Sequence, residues 1–320
     1  MKAIVRETYG SPDVLRPEEA PLPRLGDDGV LVRVHAASAN AGDWHLLRGT
    51  PLPFRLVAGI RAPRFRIIGT DIAGRVEAVG RNATQFRPGD EVFGELSRSG
   101  FGAYAEFAAA PEHALALKPA NLSFEEAAAL PTAGCTALQG LRKGRIERGQ
   151  RVLINGASGG VGTFAVQIAR ALGADVTAVC STKNVERMHT IGAHHVIDYT
   201  TDDFAARDER YDLILAANGD RSIWDYRRAL MPRGSYVMTG GSNRQLAEAL
   251  LLGPLLSMGR QRFGNLLMKP TQADLLTLKA LCEAGAIRPV IDRRFALSDV
   301  ASAVRYVEDG HARGKVVVTV

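Results

Sequence analysis

Val152-Leu153-Ile154-Asn155-Gly156-Ala157-Ser158-Gly159-Gly160-Val161-Gly162 is the stretch on which the fold of this chain turns. A short apolar, β-branched run feeds a turn of small residues. The turn opens into Thr163-Phe164-Ala165-Val166-Gln167-Ile168-Ala169-Arg170-Ala171-Leu172, whose apolar residues recur at helical spacing. Strand, glycine turn and helix, in that order, is the context a dinucleotide fingerprint requires. Glycines permit the tight turn, admit backbone N–H groups close to a pyrophosphate, and let the helix pack near the strand. The free N–H groups and the dipole at the helix start then favour an anion. Ser158, Gly159, Gly160, Val161 and Gly162 are therefore the candidate phosphate contacts; the bland reading is a plain strand-to-helix turn.

The next strand bears on which dinucleotide. Ala174-Asp175-Val176-Thr177-Ala178-Val179 runs into Cys180-Ser181-Thr182-Lys183-Asn184. A site that prefers a ribose 2′-hydroxyl wants a carboxylate at this strand end, about 20 residues past the glycines. None stands there, since Asp175 opens the strand and Glu186 falls in the following helix. Ser181, Thr182 and Lys183 offer hydroxyls and a cation, which suit a 2′-phosphate, so NADPH is the expected cofactor. Ser181 or Thr182 can also serve as an N-cap, and the two roles are compatible.

A chain of 320 residues favours two domains over one. Hydrophobic residues at 46% and charged residues at 23% describe an ordinary soluble globular protein. Cys135, Cys180 and Cys282 are far apart and form no C-x-x-C pair. They read as reduced intracellular thiols, which excludes a disulfide framework and a zinc knuckle. Met1-Lys2-Ala3-Ile4-Val5 enters a strand pattern without a signal segment, and the apolar run Leu246 to Leu256 is too short to span a bilayer. A cytoplasmic location with no membrane span is expected. The formal charge of +6 draws on Arg61, Arg64 and Arg66 and on Arg142, Lys143, Arg145 and Arg148. Neither stretch is interleaved with aromatics, so a solvated surface or steering of an anionic cofactor is favoured over nucleic acid.

The middle of the chain continues as a βαβ series through His194 to Asp198, Tyr211 to Ala216 and Ser235 to Thr239. This predicts a doubly wound parallel sheet with right-handed crossovers, hence an α/β fold. Ligands of such sheets lie at the carboxyl ends of the strands. Asn218 and Gly219, then Gly240 and Gly241, stand there as cofactor contacts or as turn formers. The first 120 residues alternate short strands (Gly29 to His35, Gly69 to Val79, Asp90 to Phe93, Ala103 to Ala109) with turns such as Pro88-Gly89-Asp90. Helices are expected over Ala273 to Ala284 and Ser298 to Glu308, and a final strand from Lys315 that rejoins the β lobe. Ser235 to Thr239 should be an edge strand of the parallel sheet or lie next to one. With the apolar stretch Leu246 to Met258 behind it, this predicts a homodimer; the alternative is a helix buried against its own sheet.

Together these segments resemble the medium-chain dehydrogenase/reductase superfamily, in its zinc-free quinone oxidoreductase branch. The markers are Gly69-Thr70-Asp71-Ile72-Ala73-Gly74-Arg75-Val76, Pro88-Gly89-Asp90-Glu91-Val92, Gly102-Ala103-Tyr104-Ala105-Glu106, the Gly156 to Gly162 turn and Gly314-Lys315-Val316-Val317. The resemblance implies a Rossmann NADP(H)-binding domain over 121–261, and a GroES-like, mostly β catalytic domain over 1–120 and 262–320. It adds Thr136, Tyr199, His311, Ala312 and Arg313 to the expected cofactor contacts. Zinc-dependent relatives place cysteine and histidine where this chain has Asn40, Thr70 and Thr132, and a catalytic zinc needs about three N, S or carboxylate ligands. No metal site is therefore expected.

Without a Lewis acid, an alkoxide loses its main support. Hydride addition to a quinone or to a conjugated C=C–C=O instead delocalises charge onto an oxygen that a hydrogen-bond donor can meet. The expected activity is reduction of a small-molecule quinone or α,β-unsaturated carbonyl. Asn40 is the candidate donor, or else a loop Asn that caps its own backbone. His45 aligns with a proton-relay histidine of the zinc enzymes, though its zinc-bound partner is missing; it reads also as a surface or ribose-contacting histidine. Leu138 replaces a Tyr common among quinone reductases, which argues against a Tyr-dependent substrate contact. Two alternatives stay open: an enoyl-thioester reductase using Arg61, Arg64 and Arg66 as a basic rim, and a non-catalytic NADPH- or RNA-binding protein of the same fold.

Overall fold

The structure, a computed structural model, describes residues 1–320 apart from Pro53, Phe54, Gly219, Asp220 and His311, and the side chain of Val57. The chain divides into two units, one of Met1–Thr132, Pro270–Glu283 and Ile291–Val320, the other of Ala133–Lys269 and Ala284–Val290.

The first unit is built on strands. β1 (Lys2–Val5) pairs antiparallel with β2 (Arg16–Glu19). β3 (Gly29–Ala39), β4 (Asp71–Val79), β5 (Glu91–Glu95) and β7 (Leu115–Leu117) follow one another across an antiparallel sheet, and β6 (Phe107–Pro111) pairs with β3. Val30, Val32 and Val34 point inward while Arg33 and His35 point out, the two-residue alternation of a half-buried strand. From Ala36 to Ala39 the strand is buried on both faces, and it runs four residues past the His35 limit read from the sequence.

The second unit is the parallel sheet. Its strands are β8 (Arg151–Asn155), β9 (Asp175–Cys180), β10 (His195–Asp198), β11 (Tyr211–Ala216), β12 (Leu230–Met238) and β13 (Arg262–Asn265), in the spatial order β10-β9-β8-β11-β12-β13. The order reverses between β8 and β11, the switch point at which such sheets bind ligands. Val152, Leu153 and Ile154 are fully buried, as a central parallel strand demands. β13 differs from expectation: the sequence reading gave everything from 262 to the β lobe, but Arg262–Asn265 pairs with Ser235–Met238. That makes β13 the edge strand and β12 its neighbour. The unit boundaries accordingly fall at 132 and 269, where the sequence suggested 120 and 261, and 284–290 returns to the second unit.

The chain then closes the first sheet. β14 (Ile291–Ala296) pairs parallel with β15 (Lys315–Thr319), and β15 pairs antiparallel with β3, Val317 facing Ser38. The helix Val300–Glu308 packs Val300, Ala303 and Val304 into the same core as Val316 and Val318. Truncation at Gly310 removes a strand bonded on both sides, with Val316, Val317 and Val318 all buried. The shortened chain should be insoluble or rapidly degraded by protease; a soluble, fully active product would contradict this topology.

Candidate functional site

The strand register sets a row of polar side chains inside the first unit. Ser38 on β3 faces Asp71 on β4, and Asp71 faces Glu95 on β5. Asn40 follows β3 and precedes the helix Ala41–Arg48; its N–H donates to Asp43 Oδ2 (2.8 Å). Lys315 opens β15, beside the end of β3. All six residues are buried.

Asp71 is the hub, and every contact it makes is with a donor. Oδ1 accepts from Thr132 N (3.0 Å) and Thr132 Oγ1 (2.6 Å). Oδ2 accepts from Ser38 Oγ (2.7 Å), Asn40 Nδ2 (2.9 Å) and Lys315 Nζ (3.4 Å). Lys315 Nζ also donates to Asn40 Oδ1. Burial pushes the Lys315 ammonium below the ordinary lysine value, against the upward pull of Asp71 and Asp43. Asn40 Nδ2 has further acceptors in Thr70 Oγ1 (3.2 Å) and Ser38 O (3.4 Å). Thr70 and Thr132 lie side by side, Oγ1 to Oγ1 3.3 Å.

The three positions at which zinc-dependent relatives carry ligands, Asn40, Thr70 and Thr132, thus come together around one carboxylate. Among the described residues no group of three or more His, Cys, Asp or Glu side chains is placed to hold a metal ion. Asn40 itself is spoken for. Its carboxamide oxygen takes the Lys315 ammonium and both amide hydrogens have acceptors within the unit, which leaves no amide hydrogen free for a substrate oxygen.

His45 lies apart from this row. Its ring stacks on Trp44 (3.6 Å between centroids), and Nδ1 lies 3.0 Å from the Thr50 carbonyl. A carbonyl only accepts, so Nδ1 carries the hydrogen in that bond. Burial pushes the imidazole below its ordinary value, and the neutral ring then offers an acceptor at Nε2 and no spare proton.

Two further carboxyls line the same interior. Asp43 accepts from Tyr104 OH (2.9 Å), and its Oδ1 is buried without a hydrogen-bond partner among the described residues. Burial raises it to about 7, opposed by the Asn40 and Tyr104 donors. Glu95 Oε2 accepts from Ser97 N and Oγ, and burial together with the adjacent Asp71 raises it to about 8. Tyr104, enclosed beside Asp43, is pushed well above the ordinary phenol value by burial and then by that carboxylate.

The second unit holds the dinucleotide turn. Gly156 has φ +78°, and a Cβ there would stand 2.4 Å from the Asn218 carbonyl oxygen. A Cβ on Gly162 would stand 2.2 Å from Gly156 O, so only glycine lets the helix Gly160–Ala171 lie this close to the turn. Gly159 is that helix's N-cap, and a Cβ added to it meets only one atom, at 3.7 Å. The first N–H groups of a helix have no internal partner, and Ser158 to Val161 remain half exposed around them. This cradle fits a pyrophosphate.

At the β9 end, Ser181 Oγ accepts from Asn184 Nδ2 (3.1 Å), which leaves the serine hydrogen for an acceptor. Asn184 is buried, and its Oδ1 has no hydrogen-bond partner among the described residues. Lys183 is exposed, with no ion-pair partner among the described residues. Thr182 is less available: it bonds Thr200 Oγ1 (2.9 Å), and hydrogen bonds from Thr182 and Thr200 hold Asp198 below the usual carboxylate range. Asp175 lies elsewhere, with its Oδ1 3.3 Å from His195 Nε2. These groups fit a 2′-phosphate through Ser181 and Lys183.

Asn218 and Gly240 sit at the ends of β11 and β12, their N–H groups donating to Asn155 O and Ala216 O, and Gly241 is exposed beyond them with φ +149°. Tyr199 follows β10 with its side chain exposed, and Thr136 is buried in the helix Pro131–Lys143. Ala312 packs against the first unit's core and Arg313 N donates to Asp292 Oδ2 (2.8 Å); both belong to the first unit. Gly219 and His311 lie outside the described residues. Of the basic rim, Arg66 is paired with Glu7 and Glu18.

Sequence reasoning missed Lys315 and Glu95 as site residues. A lysine opening an otherwise apolar Val-Val-Val strand was the available signal for the first; a glutamate in a strand gives none until its neighbour across the sheet is known.

Glu95 gives a test of this interior. Its folded value, about 8, lies above its ordinary 4.5, so the folded chain holds the proton more tightly. That stabilisation is complete below the ordinary value and is lost as pH rises through about 8. Each unit of displacement corresponds to about 1.4 kcal/mol. Glu95→Gln should therefore melt near the parent at pH 5 and several degrees above it at pH 9, read by calorimetry. A gap independent of pH would remove Glu95 from this titration.

Comparison with known proteins agrees with this architecture. Residues 26–120 match the alcohol dehydrogenase GroES-like domain and residues 191–318 the zinc-binding dehydrogenase family. The chain is 33% identical to the chloroplast envelope quinone oxidoreductase homolog of Arabidopsis thaliana, over 99% of this chain and 98% of that one. It is 32% identical to the chloroplastic NADPH-dependent alkenal/one oxidoreductase of the same plant, over 99% and 79%. Among solved structures, the quinone oxidoreductase from Coxiella burnetii superposes with a TM-score of 0.89 at 30% identity, covering 100% of this chain and 99% of that one.

Proposed function

The chain belongs to the quinone oxidoreductase branch of the medium-chain dehydrogenase/reductase superfamily, and from that premise we propose that it reduces quinones or the C=C bond of α,β-unsaturated carbonyls, with NADPH and without zinc. The observation that carries this reading is the set of amide and hydroxyl groups at Asn40, Thr70 and Thr132: Asn40 and Thr132 donate to Asp71, and Thr70 lies against both of them. Such groups are poor zinc ligands, and a hydroxyl among them suits an acceptor whose charge spreads onto an oxygen. When bound, the reduced nicotinamide supplies the hydride. The chain's own contribution is to hold the dinucleotide phosphates on the Ser158–Gly162 turn and to meet the developing charge with donors. The enoyl-thioester alternative is weakened by the loss of Arg66 to Glu7 and Glu18. A panel of quinones, enones, enals and a crotonyl thioester with NADPH tests the reading; no consumption above background on the first three overturns it.

NADPH is favoured over NADH by Lys183 and Ser181 at the β9 end. Lys183→Ala removes the exposed cation. One charge-assisted hydrogen bond is worth roughly 1.5–3 kcal/mol, so the Michaelis constant for NADPH should rise about ten-fold or more while that for NADH changes little. An equal rise for both cofactors rejects the assignment.

The working form is a homodimer, acting in the cytoplasm, where Cys135, Cys180 and Cys282 stay as thiols. No helix among the described residues is long and apolar enough to cross a membrane. The support for dimerisation is the short edge strand β13 and the apolar surface near it in sequence. Leu246, Leu252 and Leu256 pack inward, while Leu250, Leu251, Leu255, Met258 and Leu267 are exposed. Burying these against a second copy would remove a patch that a monomer leaves in water. Light scattering at micromolar concentration should give twice the mass of one chain; a single-chain mass rejects it.

A further inference from the structure

We propose that the Thr70 hydroxyl, at the end of a hydrogen-bond chain that starts on the Lys315 ammonium, is the catalytic donor to the acceptor's oxygen. The inference rests on the quinone and enone reading above and names the group that performs its central electrostatic task.

The argument is an account of hydrogens. Ser38 Oγ and Thr132 Oγ1 both spend theirs on Asp71, and Tyr104 OH spends its own on Asp43. Asn40 Nδ2 divides its two among Asp71, Thr70 and Ser38 O. Among the described residues, Thr70 is the hydroxyl of this cluster with no carboxylate or carbonyl acceptor. Its one neighbour that can accept is Thr132 Oγ1, 3.3 Å away, well beyond the 2.7–2.8 Å typical of hydroxyl pairs. A substrate oxygen can displace so long a contact at little cost.

The chain behind Thr70 strengthens its donor. Lys315 donates to Asn40 Oδ1, which polarises the carboxamide, and Asn40 Nδ2 donates to Thr70 Oγ1. Each bond polarises the next, so part of the buried positive charge is felt at the Thr70 hydrogen. Asn40 and Lys315 are then positioning residues. In the reaction the acceptor gains a hydride from the reduced cofactor, which is oxidised, and a proton from solvent. Thr70 keeps its own proton and donates a hydrogen bond to the oxygen on which the negative charge collects.

The test compares Thr70→Val, which keeps the shape without the hydroxyl, with Thr70→Ala and Thr70→Ser. Removing one oxyanion donor costs about a hundred-fold or more, so kcat/KM should fall by that factor in the valine and alanine variants and stay within a few-fold in the serine variant. NADPH affinity, followed by fluorescence, should be unchanged in all three. A second readout needs no turnover: 4-nitrophenol bound to the parent should ionise at lower pH than in solution, and Thr70→Val should abolish that shift. Valine or alanine activity within three-fold of an active parent, or no nitrophenol shift on the parent, overturns the role of Thr70 and leaves the function standing. A parent inert on every quinone and enone overturns both.

Discussion

A carboxylate placed in the middle of a buried sheet has to be answered by donors, and the first unit is arranged around that demand at Asp71. Five donors from four residues reach its two oxygens. They come from β3, from the residue after it, from Thr132 in the helix after Pro131, and from β15 at the far end of the chain. The ion pair with Lys315 contributes little net stability, because desolvating two charges offsets their attraction. Breaking it by removing one partner is another matter, costing about 3–5 kcal/mol through the charge left behind. Its effect is therefore on specificity. A one-residue slip of β15 against β3 would turn Lys315 away from Asn40 and Asp71 and drive its neighbours to the wrong face.

The second unit answers a different constraint, the approach of backbone to backbone. Gly156 and Gly162 stand where a single methyl would overlap a carbonyl oxygen, so the turn closes and the helix start stays bare of side chains. What remains is the start of the helix Gly160–Ala171, where the first N–H groups lack intrahelical acceptors and the dipole favours an anion. The chemistry of β9's end is separate in origin. It depends on Asn184, whose amide holds Ser181 in place while its own carbonyl oxygen is left without a partner.

The second unit was the more legible of the two in the sequence. Consecutive buried apolar strands separated by helical periodicity leave few topologies open, and the glycine spacing marks the turn where backbone meets backbone. β13 escaped because Arg262-Phe263-Gly264-Asn265 has one buried apolar residue, and an edge strand of four residues carries almost no pattern. In the first unit the marker segments located Asn40, Thr70 and Thr132 but not their relations. Hydrogen-bond direction depends on register, and register between β3, β4, β5 and β15 joins residues as far apart in the chain as Ala36 and Thr319. So Asn40 could be read as a free donor, when in the fold its hydrogens are consumed and it passes polarisation onward.

The same accounting explains why such a site suits one kind of acceptor. A metal ion stabilises a localised alkoxide directly, as a full charge against a full charge. A hydroxyl at the end of a relay offers one strong hydrogen bond, worth about 3–4 kcal/mol when preorganised in a dry site. That is too little to hold a localised alkoxide near neutral pH, and enough for an enolate or hydroquinone oxygen whose charge is already shared with carbon. The nearby acids fit the same scheme. Burial pushes Asp43 and Glu95 up to about 7 and about 8, which lessens the negative charge this interior carries beside Asp71. An interior crowded with ionised carboxylates would repel the charge that forms on the acceptor.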